Sequence, residues 1–421
     1  MNLIKTSLLN GIAVAVKLTS ALLLNKVLAV YVGPAGYAII GQFQNAISIV
    51  VSIAGGAVAT GVTKSTAEHF DDERKQHAVW QTAIRFSLIS SLIAGILLLF
   101  IREWLSVKLL HGLDMSGVFV WLALALPAMT ANNLLLAIVN GRKEVVIYIM
   151  ANMIGSLLSL LVIGLLAYNF GLYGALVAFT INPAVVLLST AAMVARRDWF
   201  NSRFIWGKVN RSALRELSGF GFMGLTSALT GPITFMFIRN LLTSDLNLTA
   251  AGYWQASWKI SEVYLMLVTT TLSVYYLPRL AEIRTALELK NEIFKVYRFV
   301  MPLVIVSTVS IYVLRDFIIQ LLFTPDFLPM RNLFFWQLTG DVIKMGSWVL
   351  AYIMLGRAKV KLFVITEIIF SIMLYLLSMW LLGIFGLIGV PMAYAINYSL
   401  YWVIMVIFVK FEMQNMEVVS Q

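Results

Sequence analysis

The sequence predicts an all-α polytopic membrane protein, with twelve transmembrane helices in two six-helix lobes related by a parallel internal repeat at an offset of about 215 residues. Three observations predict it. Of the 421 residues 60% are hydrophobic and 12% charged, with a mean hydropathy of +0.88, whereas a soluble domain carries about 25% charged residues. Apolar runs of helix-spanning length recur along the whole chain, each long enough for a hydrocarbon core about 30 Å thick. The weak ten-residue alternation of a membrane β-barrel is not seen. The third observation is the repeat itself, argued below.

The spans are expected at 8–32, 36–62, 78–101, 116–140, 145–168, 171–194, 217–241, 250–277, 296–321, 331–355, 361–382 and 385–409. The first is read as a true span, because no small-residue cleavage site followed by a soluble domain succeeds it. Connectors after spans 1, 5, 7 and 11 are short and lack Lys and Arg, while those after spans 2, 4, 6, 8 and 10 are basic. Counted with both tails, the basic side holds 21 Lys and Arg against 4 on the other side, Arg102, Lys108, Arg315 and Arg331. Positive charge stays on the cytoplasmic side, so both termini are expected in the cytoplasm of a bacterial inner membrane. The net charge of +11 is read in the same way, not as nucleic-acid binding. Between spans 8 and 9, Leu280, Ile283, Leu287 and Phe294 recur at helical spacing among charges, which predicts an amphipathic helix over 278–298 on the cytoplasmic face.

The halves match at a nearly constant offset. Gly141-Arg142 pairs with Gly356-Arg357, Gly171-Leu172-Tyr173-Gly174 with Gly386-Leu387-Ile388-Gly389, and Ile181-Asn182 with Ile396-Asn397, each 215 residues on. Ala35-Gly36-Tyr37 pairs with Ala251-Gly252-Tyr253 at 216, and Arg102-Glu103 with Arg315-Asp316 at 213. Six spans per half is an even number, so both halves enter the membrane in the same direction. The lobes are expected as 1–200 and 201–421, joined by the basic connector 195–216. Such repeats place a substrate site between lobes near the midplane and alternate access by rocking, which points to a carrier.

Six cations lie within spans: Lys17, Lys26, Arg85, Arg239, Lys259 and Lys344. Each would cost roughly 2.5–3.5 kcal/mol if it faced lipid, or roughly 15–20 kcal/mol together, so they are expected to line a cationic cavity. For Lys26 and Arg239, snorkelling to outer headgroups is the other reading. An ideal helix sets Lys17 and Lys26 on opposite faces, so one of them can be structural. Three acids, Glu262, Asp341 and Glu367, are candidates for ion coupling. Lys259-Glu262 and Asp341-Lys344 stand three apart and could instead be neutralising pairs that allow insertion. Six cations against three acids leave an excess of positive charge, which suits a phosphate or carboxylate. The aromatics of Tyr253-Trp254-Gln255 and Trp336-Gln337 could stack on sugars or belong to an interfacial belt.

No catalytic signature is present. There is no phosphate-binding glycine loop, no cysteine, and His69, His77 and His111 have no metal spacing. The chain is expected to be no enzyme and to need no cofactor.

Several stretches carry a resemblance. VLAVYVGPAGYAIIGQFQN at 27–45, opened by LLNK, GVTK at 61–64, SVYYLPRL at 273–280, LRDF at 314–317 and FWQLTGDVIK at 335–344 resemble the Wzx flippases of the multidrug/oligosaccharidyl-lipid/polysaccharide exporter superfamily. The likeness covers nearly the whole chain and is closest to lipid III flippases and their O-antigen-unit relatives. It implies two six-helix lobes and a substrate, an undecaprenyl-pyrophosphate-linked oligosaccharide moved from the cytoplasmic to the periplasmic leaflet. It further implies membrane lipids as surroundings, and the polymerase and chain-length proteins of the same pathway as partners, with no nucleic acid. Lys26, Arg239, Glu262, Asp341, Lys344 and Glu367 fall where the subgroup has like residues, whereas Arg85 departs from them. The other reading within the superfamily is an ion-coupled multidrug exporter, for which an acidic cavity would be expected.

Overall fold

Glycines and prolines decide where the long helices of this chain break, as its computed structural model makes plain. The structure describes all residues except 1–2, 57, 198, 201–206, 208–209, 358 and 421. Much of the connector 195–216, with Arg203 and Lys208 of the basic tally, therefore lies outside the described residues. The chain divides into two compact units, Met1–Ile233 and Thr234–Gln421.

In the first unit, α1 (Leu3–Val51) holds the first expected span and the first part of the second. They meet at Gly33, whose φ of 68° and ψ of −178° leave the helical region, and Pro34 follows. Proline has no N–H for the helix ladder, and that combination of positive φ with extended ψ suits glycine, so the pair turns the chain sharply. A π-helical turn at Ser52–Gly56 leads to α2 (Val58–Glu68). Then come α3 (Glu73–Leu109), α4 (Gly117–Gly141) and α5 (Val145–Val194). The α5 helix is interrupted at Gly171, with φ 56°. In the core α1 packs on α5, and α4 on α3, α5 and α2. Close approaches are made by small residues: a Cβ on Gly95 would stand 3.1 Å from the Ala123 carbonyl oxygen, and Gly141 packs on Thr63 and Thr66.

The α6 helix (Arg211–Asp245) crosses from the first unit into the second. It is followed by α7 (Leu248–Thr271), a π-helical turn at Leu272–Tyr276, and the short α8 (Leu277–Glu282). After these come α9 (Ala286–Val313), α10 (Arg315–Leu322) and a 3-10 segment at Pro325–Leu333. The unit ends with α11 (Phe334–Gly356), α12 (Val360–Phe385) and α13 (Gly389–Ser420). Between α12 and α13 the chain breaks at Gly386, with φ 60°. Here α11 is the centre, packing on α13, α9 and α7.

The breaks at Gly171 and Gly386 have the same local form. A Cβ on Gly174 would run into the carbonyl oxygen of Leu166, and one on Gly389 into that of Leu381. Both members of each pairing stand 215 residues apart.

Among the described residues, seven stretches are long and apolar enough to cross a membrane, in Gly11–Gly56, Glu73–Leu109, Gly117–Gly141, Val145–Val194, Ala286–Val313, Pro325–Gly356 and Val360–Met416. Large apolar side chains stand exposed along them at helical spacing, as at Ile89, Ile93, Leu97 and Phe100 of α3. In water such a stripe would aggregate, whereas in lipid it is at home. The chain is an integral membrane protein. The α7 helix is absent from the seven because Gln255, Ser257, Lys259, Ser261 and Glu262 interrupt it.

One expectation is corrected. Residues 278–298 do not form a separate amphipathic helix. The chain leaves α8 at Ile283 with extended backbone, and Thr285 caps a new helix reciprocally with Glu288. From Ala286 that helix runs unbroken to Val313. Leu280 and Ile283 are buried, while Leu287 and Phe294 are exposed. The four apolar residues thus belong to two helices and two faces. The inward face of α9 is Leu289, Glu292, Val296 and Val300 instead. Glu292 is buried there because Tyr275 donates to it at 3.1 Å and Arg279 lies 3.9 Å away.

Candidate functional site

The second unit gathers its chemistry on three helices. On α11, Gln337, Asp341, Lys344 and Trp348 recur every three or four residues and form one stripe. On α7, Trp254, Trp258 and Ser261 do the same, and on α13 so do Tyr394, Tyr398 and Tyr401.

Asp341 is fully buried. Its Oδ2 accepts from the Ser261 hydroxyl at 2.6 Å and the Tyr264 hydroxyl at 2.7 Å, and its Oδ1 accepts from Tyr394 at 2.9 Å. Gln337, also buried, donates to Ser261 Oγ at 3.2 Å. A carboxylate is an acceptor with several lone pairs, and three hydroxyls from two other helices supply them with donors.

Lys344 does not close the internal pair that its spacing from Asp341 allows. Among the described residues no carboxylate lies within ion-pair distance of it; its Nζ instead stands 4.8 Å from the ring centre of Trp348, 5.1 Å from Trp258, 5.5 Å from Tyr398 and 5.8 Å from Tyr394. This is an aromatic cage around an ammonium. The rings brace one another edge to face, Trp258 on Tyr394 at 5.1 Å and Tyr394 on Tyr398 at 5.0 Å. Gly340 makes room for the cage, since its missing Cβ would occupy the Tyr394 ring.

The other expected pair does form. Lys259 Nζ lies 2.6 Å from Glu262 Oε2, partly exposed. Arg239, from α6, is 1% exposed; it donates to Gln255 Oε1 at 2.5 Å and its guanidinium lies 5.6 Å from the Trp254 ring centre. Glu367 is half-buried on α12.

In the first unit the three cations are not brought together. Lys17 is exposed on α1, and Lys26 is half-buried two and a half turns on, beside Asn25, which accepts from Tyr37. Arg85 is half-buried on α3, at an apolar pocket inside this unit.

Sequence reasoning missed the four caging rings. Trp258 adjoins Lys259 and Trp348 follows Lys344 by four, which was a signal; Tyr394 and Tyr398 come from a helix 50 residues away. Of the aromatics it did name, Trp254 serves Arg239, while Tyr253 packs on Phe327 at 6.4 Å and Trp336 on Phe335 at 5.3 Å. No group of His, Asp and Glu among the described residues could hold a metal ion.

An all-helical membrane unit thus holds in its interior a caged ammonium and a carboxylate that accepts from three hydroxyls. Solved structures agree on the fold. An inward-facing multidrug resistance MATE family transporter of the MOP superfamily superposes with a TM-score of 0.81 at 16% identity, covering 96% of each chain. A MOP superfamily transporter from Pyrococcus furiosus, whose binding pocket of reverse polarity suggests a different function for it, superposes with a TM-score of 0.71 at 16% identity, over 98% of this chain and 96% of that one. Sequence comparison goes further. The family described as polysaccharide biosynthesis protein matches residues 27–332. The lipid III flippases of Escherichia coli (strain K12) and Shigella flexneri are each 30% identical over 403 residues, 96% of this chain and 97% of theirs. The chain belongs to this polysaccharide-biosynthesis family of flippases.

Proposed function

We propose that the protein flips an undecaprenyl-pyrophosphate-linked oligosaccharide, an O-antigen unit or lipid III, from the cytoplasmic to the periplasmic leaflet of a bacterial inner membrane. It does so by alternating access of two six-helix lobes, 1–200 and 201–421, with twelve crossings and both termini in the cytoplasm. The lipid III flippase relatives support the substrate class. The paired glycine breaks at Gly171 and Gly386 support the repeat.

The observation that carries the reading is the caged Lys344. Its carboxylate neighbour is already occupied by hydroxyls, so the ammonium is held ready for an incoming anion. Phosphate oxygens are strong acceptors for it, and the faces of surrounding Trp and Tyr rings suit the C–H faces of a sugar. Lys259, Lys17, Lys26 and Arg85 add positive charge along the path, and Arg239 holds the Trp254 side of the site in place. With the cell interior negative, exporting two negative charges gains roughly 4–5 kcal/mol per 100 mV. Glu262, Asp341 and Glu367 are the candidates for coupling to an ion. The pathway's polymerase and chain-length proteins are its expected partners.

The multidrug-exporter reading rests on fold alone, and a caged cation disfavours cationic drugs by like-charge repulsion.

The test is flipping of a lipid-linked oligosaccharide in proteoliposomes, comparing wild type with Lys344→Ala, Lys17→Ala and Arg239→Ala. Wild type moves the lipid and the folded Lys344 variant fails. Movement of organic cations in place of the lipid would overturn the assignment.

A further inference from the structure

Arg85 stands on the wall of a pocket of about 320 Å³ that lies wholly inside the first unit, between α3, α4 and the C-terminal part of α5. Small-molecule pockets run from roughly 300 to 1,000 Å³, so this one holds a chain segment, not a whole glycolipid. The lining is apolar apart from Arg85, Ser87 and Thr130. Thr130 spends its hydroxyl on the Leu126 and Pro127 carbonyls of its own helix. Arg85 makes no side-chain hydrogen bond or ion pair to a described residue, while the Ser87 hydroxyl is packed against Gly55 of the π-helical turn. A guanidinium beside apolar walls is unfavourable unless something anionic completes it.

The pocket is also built before anything enters. Trp80 and Trp199 form one wall, edge to face at 5.8 Å. Trp80 Nε1 donates to Thr66 Oγ1 at 2.9 Å, and Trp199 Nε1 donates to Glu144 Oε1 at 3.3 Å. The Arg142 guanidinium covers the Trp199 ring at 5.2 Å and is itself fixed by a 2.7 Å bond to Gln76. Leu134 and Ile138 of α4 form the facing wall.

We propose that this pocket binds an anionic single-chain amphiphile: the carboxylate or phosphate head on Arg85, the hydrocarbon chain between the Trp80-Trp199 wall and α4. This is a second ligand site, distinct in its residues from the Lys344 cage, and its test reads binding, not flipping.

Purified protein in a neutral detergent is titrated with dibromostearate, whose bromines quench nearby tryptophan emission. A saturable fraction is quenched, and it vanishes in the Trp80→Phe/Trp199→Phe double variant. Arg85→Gln raises the half-saturation concentration by about tenfold or more, the loss of one charge-assisted hydrogen bond, while Arg85→Lys retains most of the affinity. Ala131→Phe keeps the cation but fills the pocket and abolishes the saturable fraction. Competition distinguishes the sources: displacement by stearate alone assigns an acyl chain of the bilayer, displacement by farnesyl phosphate assigns an isoprenoid carrier. Equal quenching by the uncharged brominated alcohol, or an Arg85→Gln titration that matches wild type in a monodisperse preparation, overturns the proposal.

Discussion

Lys344 follows Asp341 by three residues on α11, yet the two are parted in their bonding: the carboxylate is taken by Ser261, Tyr264 and Tyr394, the ammonium by four aromatic rings. Cation–π contacts are worth about 0.5–2 kcal/mol each and leave the N–H donors unspent. Removing the ammonium loses these contacts but also removes the cost of burying a charge, and the apolar stem that remains still packs on the rings. Lys344→Met, which keeps the stem, is expected to slow flipping by roughly 10–100-fold, the worth of one charge-assisted hydrogen bond. Thermal unfolding in detergent should stay near wild type. A flipping rate equal to wild type would move the anion site elsewhere.

Asp341 behaves in the opposite way. Asp341→Asn keeps the shape but replaces an acceptor by an amide N–H₂ among three hydroxyl donors. At a fully buried position this is expected to destabilise by about 1–3 kcal/mol, read as a lower unfolding temperature. Ser261→Ala should cost less, since Tyr264 still serves the same oxygen. Equal stability of Asp341→Asn and wild type would mean that the hydroxyls have other acceptors within reach.

Much of this was legible in the sequence. A glycine at positive φ and a proline with no N–H act locally, so the break at Gly33-Pro34 falls where the spans were parted and those at Gly171 and Gly386 fall within two residues of such a parting. The Lys259-Glu262 pair is local too, and it forms. The cage was not legible, because Trp258, Trp348, Tyr394 and Tyr398 come from three helices, and a buried tyrosine in an apolar run reads as core. The Asp341-Lys344 spacing misled for the same reason: hydroxyls from α7 and α13 reach the carboxylate, which spacing on α11 cannot show. In 278–298 the apolar spacing continued across Ile283, where the chain turns extended, so one face was read where two helices meet.

The driving force can be separated from proton coupling. If the pyrophosphate crosses with its charge, an inside-negative potential imposed on proteoliposomes raises outward flipping, and reversing the potential lowers it. Collapsing the pH gradient at constant potential is the companion measurement. Loss of flipping there supports coupling through Glu262, Asp341 or Glu367; indifference removes all three from that role. Glu262 is exposed and already bonded to Lys259, so Glu262→Gln with Lys259→Gln tests the pair without leaving a lone charge.

The repeat makes a paired prediction. Gly174 and Gly389 each sit where a Cβ would meet the carbonyl oxygen of a residue eight positions earlier, Leu166 and Leu381. Backbone cannot swing aside as a side chain can, so Gly174→Ala and Gly389→Ala should each destabilise by about 1–3 kcal/mol, the usual penalty of overpacking. Gly383 has nothing within 4 Å of its added Cβ and serves as the control; Gly383→Ala should be neutral or stabilise by about 0.4–1 kcal/mol through the unfolded chain. Similar losses at 174 and 389, measured by thermal unfolding, mean that the two breaks carry the same load. A loss at one alone would show that their shared geometry does not extend to shared energetics, and the repeat would then be one of chain path only.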